Sequence, residues 1–344
     1  MSSRSMGRMN GDTTMIPDGS EKASPDRILD SAALSPTDGE GRPIPVTIPV
    51  ALDGGATVVY STRLGGVSDG DFASCNLGGR GGDDSGHVLS NREALSRTVG
   101  APIVLVSQVH SGLAVDVDRS LRRETSFGAE LIDAEGGVIE ADAMVSSGGS
   151  FALGIFAADC LPVLLTDPVE GIIAAAHCGR RGLCSGIIPA TIDLMRAKGA
   201  DSDRIVATLG PRICERCYEV GDDIARDFES RWPGSSSQSR FVGLGVDLAK
   251  AARCELIASG VVPDNIVDSG PRVAAATQYL ENDEELERLC AHDDEGAVEL
   301  ETRLSSLENV LCTMENPLWY SHRRASVAGK RREGRMLAVI VRGR

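Results

Sequence analysis

The stretch Phe151-Ala-Leu-Gly-Ile-Phe-Ala-Ala-Asp-Cys160, followed by Gly171-Ile-Ile-Ala-Ala-Ala-His177, decides how the chain is read. Each segment is a short, nearly continuous apolar run without polar alternation, the pattern of a strand buried on both faces. Each also leads directly to a side chain with metal-binding or nucleophilic chemistry. Working outward, Ala141–Ser146, Ile205–Leu209 and Met336–Val341 read as further strands, Thr57–Ser61 as the first one, and Pro102–Val109 as a strand that delivers His110 at its end. Helical spacing appears at Val88–Val99. After the turn Gly179–Gly182, Ser185 is expected to cap a helix that presents Ile188, Ile192 and Met195 on one face and closes at Gly199. A further helix is expected at Asp247–Ser259, capped by Asp247, with Leu248, Ala252 and Leu256 at fourfold spacing and Gly260 as the stop. Strands interleaved with helices predict a mixed α/β fold, and no internal repeat is visible.

Of the 344 residues, 42% are hydrophobic but only 3% are aromatic, so the core must be filled by Val, Ile, Leu and Ala. Residues 1–42 are rich in Ser, Gly, Asp and Pro and are read as a disordered tail, which leaves residues 43–344 as one folded domain. The formal net charge of -15 disfavours nucleic acid and anionic membrane as partners, since both require clustered Lys and Arg. The charge is uneven: residues 281–308 hold eleven acidic and two basic side chains, whereas residues 323–344 hold eight basic ones against the single acid Glu333. The acidic stretch reads as an insertion, either helical on an exposed face or disordered. The basic end reads as a solvated tail or as a local anion pocket. Nine dispersed cysteines and a start without an apolar leader predict reduced thiols in the cytoplasm. No apolar run reaches the ~18 residues of a membrane span.

His110, Cys160 and His177 each follow an apolar run, the position at which side chains leave a sheet edge for a cleft. Imidazole nitrogen and thiolate are donors that zinc takes, and three protein ligands with one open position form the catalytic arrangement. Their separations, 50 and 17 residues, match no short zinc signature, so the spacing leaves open a buried cysteine beside two ordinary histidines. Asp159 and Gln108 are candidate proton carriers or orienting partners. Cys214 and Cys217 form a Cys-x-x-Cys pair that reads as metal ligands, a redox couple or two buried thiols, and Cys178 and Cys184 flank the turn after His177. The loop from Leu64 to Gly82, continued by Asp83 and Asp84, has glycines that let backbone amides approach an anion, with Arg63 and Arg80 as cationic partners. It matches neither a P-loop nor a dinucleotide fingerprint.

Taken together, Thr62-Arg-Leu-Gly-Gly-Val-Ser68, Asn76-Leu-Gly78, Gly82-Asp-Asp84, Asn91-Arg92, Gln108-Val-His110, Ala141-Asp-Ala143, Ala158-Asp-Cys160 and His177-Cys-Gly-Arg-Arg-Gly182 resemble a known family. So do Gly210-Pro-Arg-Ile213, Cys217-Tyr-Glu-Val-Gly221, Asp247-Leu248, Cys312-Thr313, Ser321-His-Arg-Arg324 and Gly334-Arg335. The family is the laccase-domain purine nucleoside phosphorylases, also called YfiH-like proteins or multicopper polyphenol oxidases. The resemblance runs from about Ser61 to Ile340, interrupted by the acidic stretch. It implies a single-domain α/β/β/α sandwich and a zinc ion held by His110, Cys160 and His177. Implied with it are phosphorolysis of adenosine, inosine, guanosine and methylthioadenosine, deamination of adenosine, and an alternative role in editing peptidoglycan precursors. The catalytic positions fall on Cys160, Asp159 and Gln108, and contacts to nucleoside and phosphate on Arg63, Asn76, Arg80 and Arg181. Two departures bear on substrate preference: Arg180 stands where the family usually has Trp, and Arg80-Gly81 where it usually has His-Val.

Copper is the weaker metal, because five histidines are too few for a type-1 site plus a trinuclear cluster in one subunit. A second enzyme reading makes Cys160 a nucleophile with His177 as its base, giving a metal-free thiol hydrolase. A third is a noncatalytic binding protein stabilised by zinc.

Overall fold

The computed structural model describes residues 37–343. The first half runs β1 (Thr47–Ala51), β2 (Ala56–Ser61), α1 (Ser85–Val99), β3 (Ile103–Leu105), β4 (Ala114–Asp116), β5 (Leu121–Thr125), β6 (Gly128–Ile132), β7 (Ala143–Ser146), β8 (Ala152–Ala157), β9 (Leu161–Asp167) and β10 (Ile172–Cys178). It continues with α2 (Arg180–Cys184), α3 (Ile187–Ala197), β11 (Val206–Leu209), α4 (Asp222–Arg231), β12 (Ser236–Gln238), β13 (Leu244–Val246), α5 (Leu248–Ala258) and β14 (Ile266–Val267). Last come α6 (Gly270–Tyr279), α7 (Glu284–His292), α8 (Leu300–Ser305), α9 (His322–Val327) and β15 (Met336–Arg342).

Two mixed sheets carry the fold, a seven-stranded one ordered β1-β2-β15-β8-β3-β6-β5 and a six-stranded one ordered β14-β11-β9-β10-β7-β4. The twofold alternation of side chains along each strand explains their stacking. Val58 and Tyr60, Leu153 and Ile155, and Ala338 and Ile340 of the first sheet share one core with Leu164, Ile173 and Ala175 of the second. The intervening Val59, Leu337 and Val339 point away and pack with Leu95 of α1. On the far side, Val163, Leu165, Ala174 and Ala176 meet Ile188, Ile192 and Met195 of α3 and Leu248, Ala252 and Leu256 of α5. The result is the α/β/β/α layering expected of the chain, with aliphatic residues filling the space between the sheets.

The structure revises several local expectations. Ser185 does not start a helix: it ends α2, and Gly186, at φ 77°, makes the left-handed corner from which α3 leaves. His177 lies inside β10 rather than beyond it. Residues 37–42, expected in the tail, form a turn in which the Asp38 carboxylate accepts from the amides of Glu40 and Arg42, while Thr37 bridges to Pro43. The rest of that expected tail lies outside the described residues. The acidic stretch is neither disordered nor merely a solvated face. It supplies α7 and α8, whose Leu286, Cys290 and Leu300 enter the central core. Among the described residues no helix is long and apolar enough to cross a membrane.

Candidate metal centre

Antiparallel pairing of β9 with β10 sets Leu161 opposite Cys178 and Pro162 opposite His177. That register leaves Cys160 beside the end of β10, while His177, sharing the face of Ile173 and Ala175, points into the space between the sheets. His110 arrives from the segment after β3. The donor atoms of His110, Cys160 and His177 lie within 4.8 Å of one another, with Cys160 Sγ 3.7 Å from His110 Nε2 and the two imidazoles edge to face at 4.8 Å between centroids. Gly179 completes the convergence: a Cβ there would stand 2.9 Å from both Cys160 Sγ and His110 Cδ2. His110 (φ 63°) and Asp159 (φ 95°) hold left-handed conformations that are rare for residues with side chains. Strain of this kind collects at sites that the surrounding fold over-determines.

Asp142, fully buried just before β7, organises the cluster. Its carboxylate accepts from His177 Nδ1 at 2.8 Å, from the His110 amide at 3.0 Å, and from the amide and hydroxyl of Ser111. Burial would raise its pKa, but the bonds from His177 and Ser111 outweigh it and bring the group down to about 2. For Cys160, burial is likewise overcome by the charge of His177 and the hydrogen bonds of both histidines, which lower the thiol to about 6. Reciprocally, His177 is raised to about 9 against the opposing effect of burial, by the Cys160 thiolate and Asp142. Two imidazoles, one thiolate and a carboxylate behind one imidazole make a donor set that fits a divalent ion of the zinc type.

The remaining residues singled out from the sequence divide into engaged and exposed groups. Asp159 is buried, with one carboxylate oxygen taking the Thr313 hydroxyl at 2.7 Å and the other the Arg323 amide at 2.6 Å; it braces the Cys160 turn rather than facing open space. Gln108 spends its side-chain amide on both backbone groups of Phe156, acting as an extra rung of β8. Asn76 is buried and ties Gly78, Asp83 and Arg335 together.

Arg63 is also inside, only 3% exposed, and pairs with Asp293 at 2.9 Å. The amide of Gly65 donates to Glu285 at 3.0 Å, and Ser74 bonds the same carboxylate. The glycine-rich loop therefore does hold anions, but they are carboxylates of the chain's own acidic segment. Arg80 and Arg181 remain on the surface, Arg80 donating to the Ser107 hydroxyl at 2.7 Å.

The sequence motifs contain Asp142, Tyr218 and Arg323 but give them no role at the site. The Arg323 guanidinium lies 5.5 Å from the Tyr218 ring, and the Tyr218 hydroxyl feels the charges of Cys160 and Arg180. A lone Asp between two alanines, immediately ahead of an apolar strand, was the one local sign of Asp142.

Comparison with known proteins follows the same lines. A purine nucleoside phosphorylase of Streptomyces griseus is 38% identical over 218 residues, 62% of this chain and 83% of that protein. A prokaryotic adenosine deaminase is 33% identical over 218 residues, 61% of this chain and 81% of that one. Among solved structures, a Neisseria meningitidis protein of the DUF152 family superposes with a TM-score of 0.62 at 28% identity, covering 87% of this chain and 99% of that one. The family described as multi-copper polyphenol oxidoreductase laccase matches residues 57–280, and the chain belongs to it.

Proposed function

We propose that the protein is a zinc-dependent purine nucleoside enzyme that cleaves nucleosides with phosphate (adenosine, inosine, guanosine and methylthioadenosine) and deaminates adenosine. The observation that carries this reading is the convergence of His110, Cys160 and His177 within 4.8 Å, next to the buried carboxylate of Asp142. Relatives named for both purine activities support the substrate class. Bound there, zinc would supply Lewis acidity.

The chain's own groups act around that site. Asp142 holds the proton of His177 on Nδ1, so that Nε2 is left toward Cys160. Asp159 is assigned a positioning role through Thr313 and Arg323, and Gln108 fixes the segment leading to His110 against β8. Phosphate would be met by the exposed cations Arg80 and Arg181, and Arg180, beside Tyr218, would border the nucleoside. Only two histidines join the cluster, which favours zinc over a multicopper arrangement.

A second reading is favoured by one specific geometry: Asp142, His177 and Cys160 form a carboxylate–imidazole–thiol series like that of a cysteine hydrolase. The two readings separate in one assay. The purified protein is analysed for metal and incubated with adenosine, with and without phosphate, and the products are resolved by chromatography. Phosphate-dependent adenine and phosphate-independent inosine, both lost with the metal, are expected. Cleavage that persists in metal-free protein and stops on thiol alkylation would sink the zinc reading.

A further inference from the structure

Far from the first centre in sequence, a second set of soft donors converges. Cys214 and Cys217 lie on the loop after β11, and Cys312 and Glu315 on the segment before α9. The two segments are joined by a parallel bridge in which Arg212 donates to Leu311 O and Thr313 donates to Arg212 O, both at 2.9 Å. The three sulfurs and one carboxylate oxygen lie within 4.8 Å of one another. Glu315 Oε1 is 3.5 Å from Cys214 Sγ and 3.4 Å from Cys217 Sγ. For zinc, bond lengths of about 2.3 Å to sulfur and about 2.1 Å to oxygen at a tetrahedral angle give an edge of roughly 3.6 Å. The observed separations are those of such an edge.

The surroundings suit ligands better than idle thiols. The cysteines are buried and the Glu315 side chain is 2% exposed. Glu315 is aimed by Arg240, 3.2 Å from Oε1, and by the amides of Glu308 and Asn309 on Oε2. The Cys214 amide points at Cys312 Sγ at 3.3 Å, the orientation a thiolate requires. A redox couple would use two cysteines. The third sulfur and the buried carboxylate would be surplus to it, and both are needed by a closed four-donor site. A cavity of about 430 Å³, lined in part by Cys214, Glu315 and Arg216, opens beside the cluster and gives an ion a way in.

We propose that Cys214, Cys217, Cys312 and Glu315 hold a second divalent ion of the zinc class, in a closed site that is structural. On binding, the three thiol protons pass to solvent and the sulfurs bind as thiolates. The ion would pin the two segments whose Ile213 amide and Thr313 hydroxyl hold Asp159, and so would stabilise the turn that carries Cys160.

The test uses the full chain, stripped of metal and reloaded with cobalt(II). Wild type is expected to bind two ions and Cys160→Ser one, with Cys160→Ser keeping the intense near-ultraviolet absorption of several cobalt–thiolate bonds. Cys312→Ser is expected to lose most of that absorption and to melt at a lower temperature. The Cys160→Ser arm leaves the second cluster untouched, so it decides even if Cys312→Ser fails to fold. Absence of bound metal in Cys160→Ser, or a Cys214–Cys217 disulfide in its peptide map, overturns the proposal. Neither result bears on the purine reading, which rests on the other cluster.

Discussion

Asp142 and His177 are joined twice, side chain to side chain at 2.8 Å and through the His177 amide to the Asp142 carbonyl at 2.7 Å. The imidazole is thereby fixed in both position and tautomer. Asp142→Asn keeps the shape of the side chain but leaves one of its two polar atoms a donor, so the bonds from His177 and Ser111 can no longer all be accepted. Metal affinity measured by chelator competition is expected to fall about 10–100-fold. Unchanged affinity would remove Asp142 from the site.

Gly179→Ala separates steric from conformational effects. The backbone at Gly179 has φ -69°, which alanine adopts freely, so the substitution costs little except at the cluster, where the new carbon meets Cys160 Sγ and His110 Cδ2 at 2.9 Å. Loss of metal and activity with a nearly unchanged far-ultraviolet spectrum is expected. Full metal occupancy in the variant would mean that the three donors have room to spare.

Asp293 lies between Arg63 at 2.9 Å and Arg303, all three nearly inaccessible to solvent. Replacing it by Ala strands two buried cations and is expected to cost about 3–5 kcal/mol in denaturant unfolding. Burial alone would raise its carboxyl, but the bond to Arg303 and the charge of Arg63 hold it below the usual range. Its contribution is therefore complete above the unfolded value of about 3.9 and is lost as pH falls through the lower folded value. The stability gap between wild type and Asp293→Asn should narrow in acid, and a gap that stays constant from neutral pH to about pH 2.5 would contradict the assignment.

Arg180, the first residue of α2, stands where the family resemblance implies a tryptophan, and its charge is felt by Tyr218. Arg180→Trp is expected to lower KM for adenosine several-fold with little change in kcat, by offering a stacking face to the base. Equal KM values would place the nucleoside elsewhere.

The fold was legible where strands are purely apolar. Met336–Val341 differs from β15 by one residue, Phe151–Ala157 from β8 by one, and Asp247 caps α5 through the amides of Ala249 and Lys250, as expected. β9 went unread because Pro162 interrupts its apolar run. The ring is tolerated there because Pro162 lies beyond the ladder with β11, which begins at Val163, and the amide of the facing His177 donates to Asp142. β5 was hidden by the polar string Leu-Arg-Arg-Glu-Thr, suited to an exposed edge. The trio His110, Cys160 and His177 was legible because each follows a strand-like run. Asp142 was not, since its importance comes from amides and an imidazole that meet it only after folding. Arg63 misled for the converse reason: local glycines advertise an anion site without showing that Asp293, 230 residues away, closes it.

The shared register of β9 and β10 has a mechanical corollary. His177 lies in the β9–β10 ladder and Cys160 immediately precedes β9, so the ladder fixes the spacing of the pair, whereas His110 lies on an irregular segment held by Asp142. Any loosening of the trio should therefore begin at His110, the one member with no place on or next to the β9–β10 ladder.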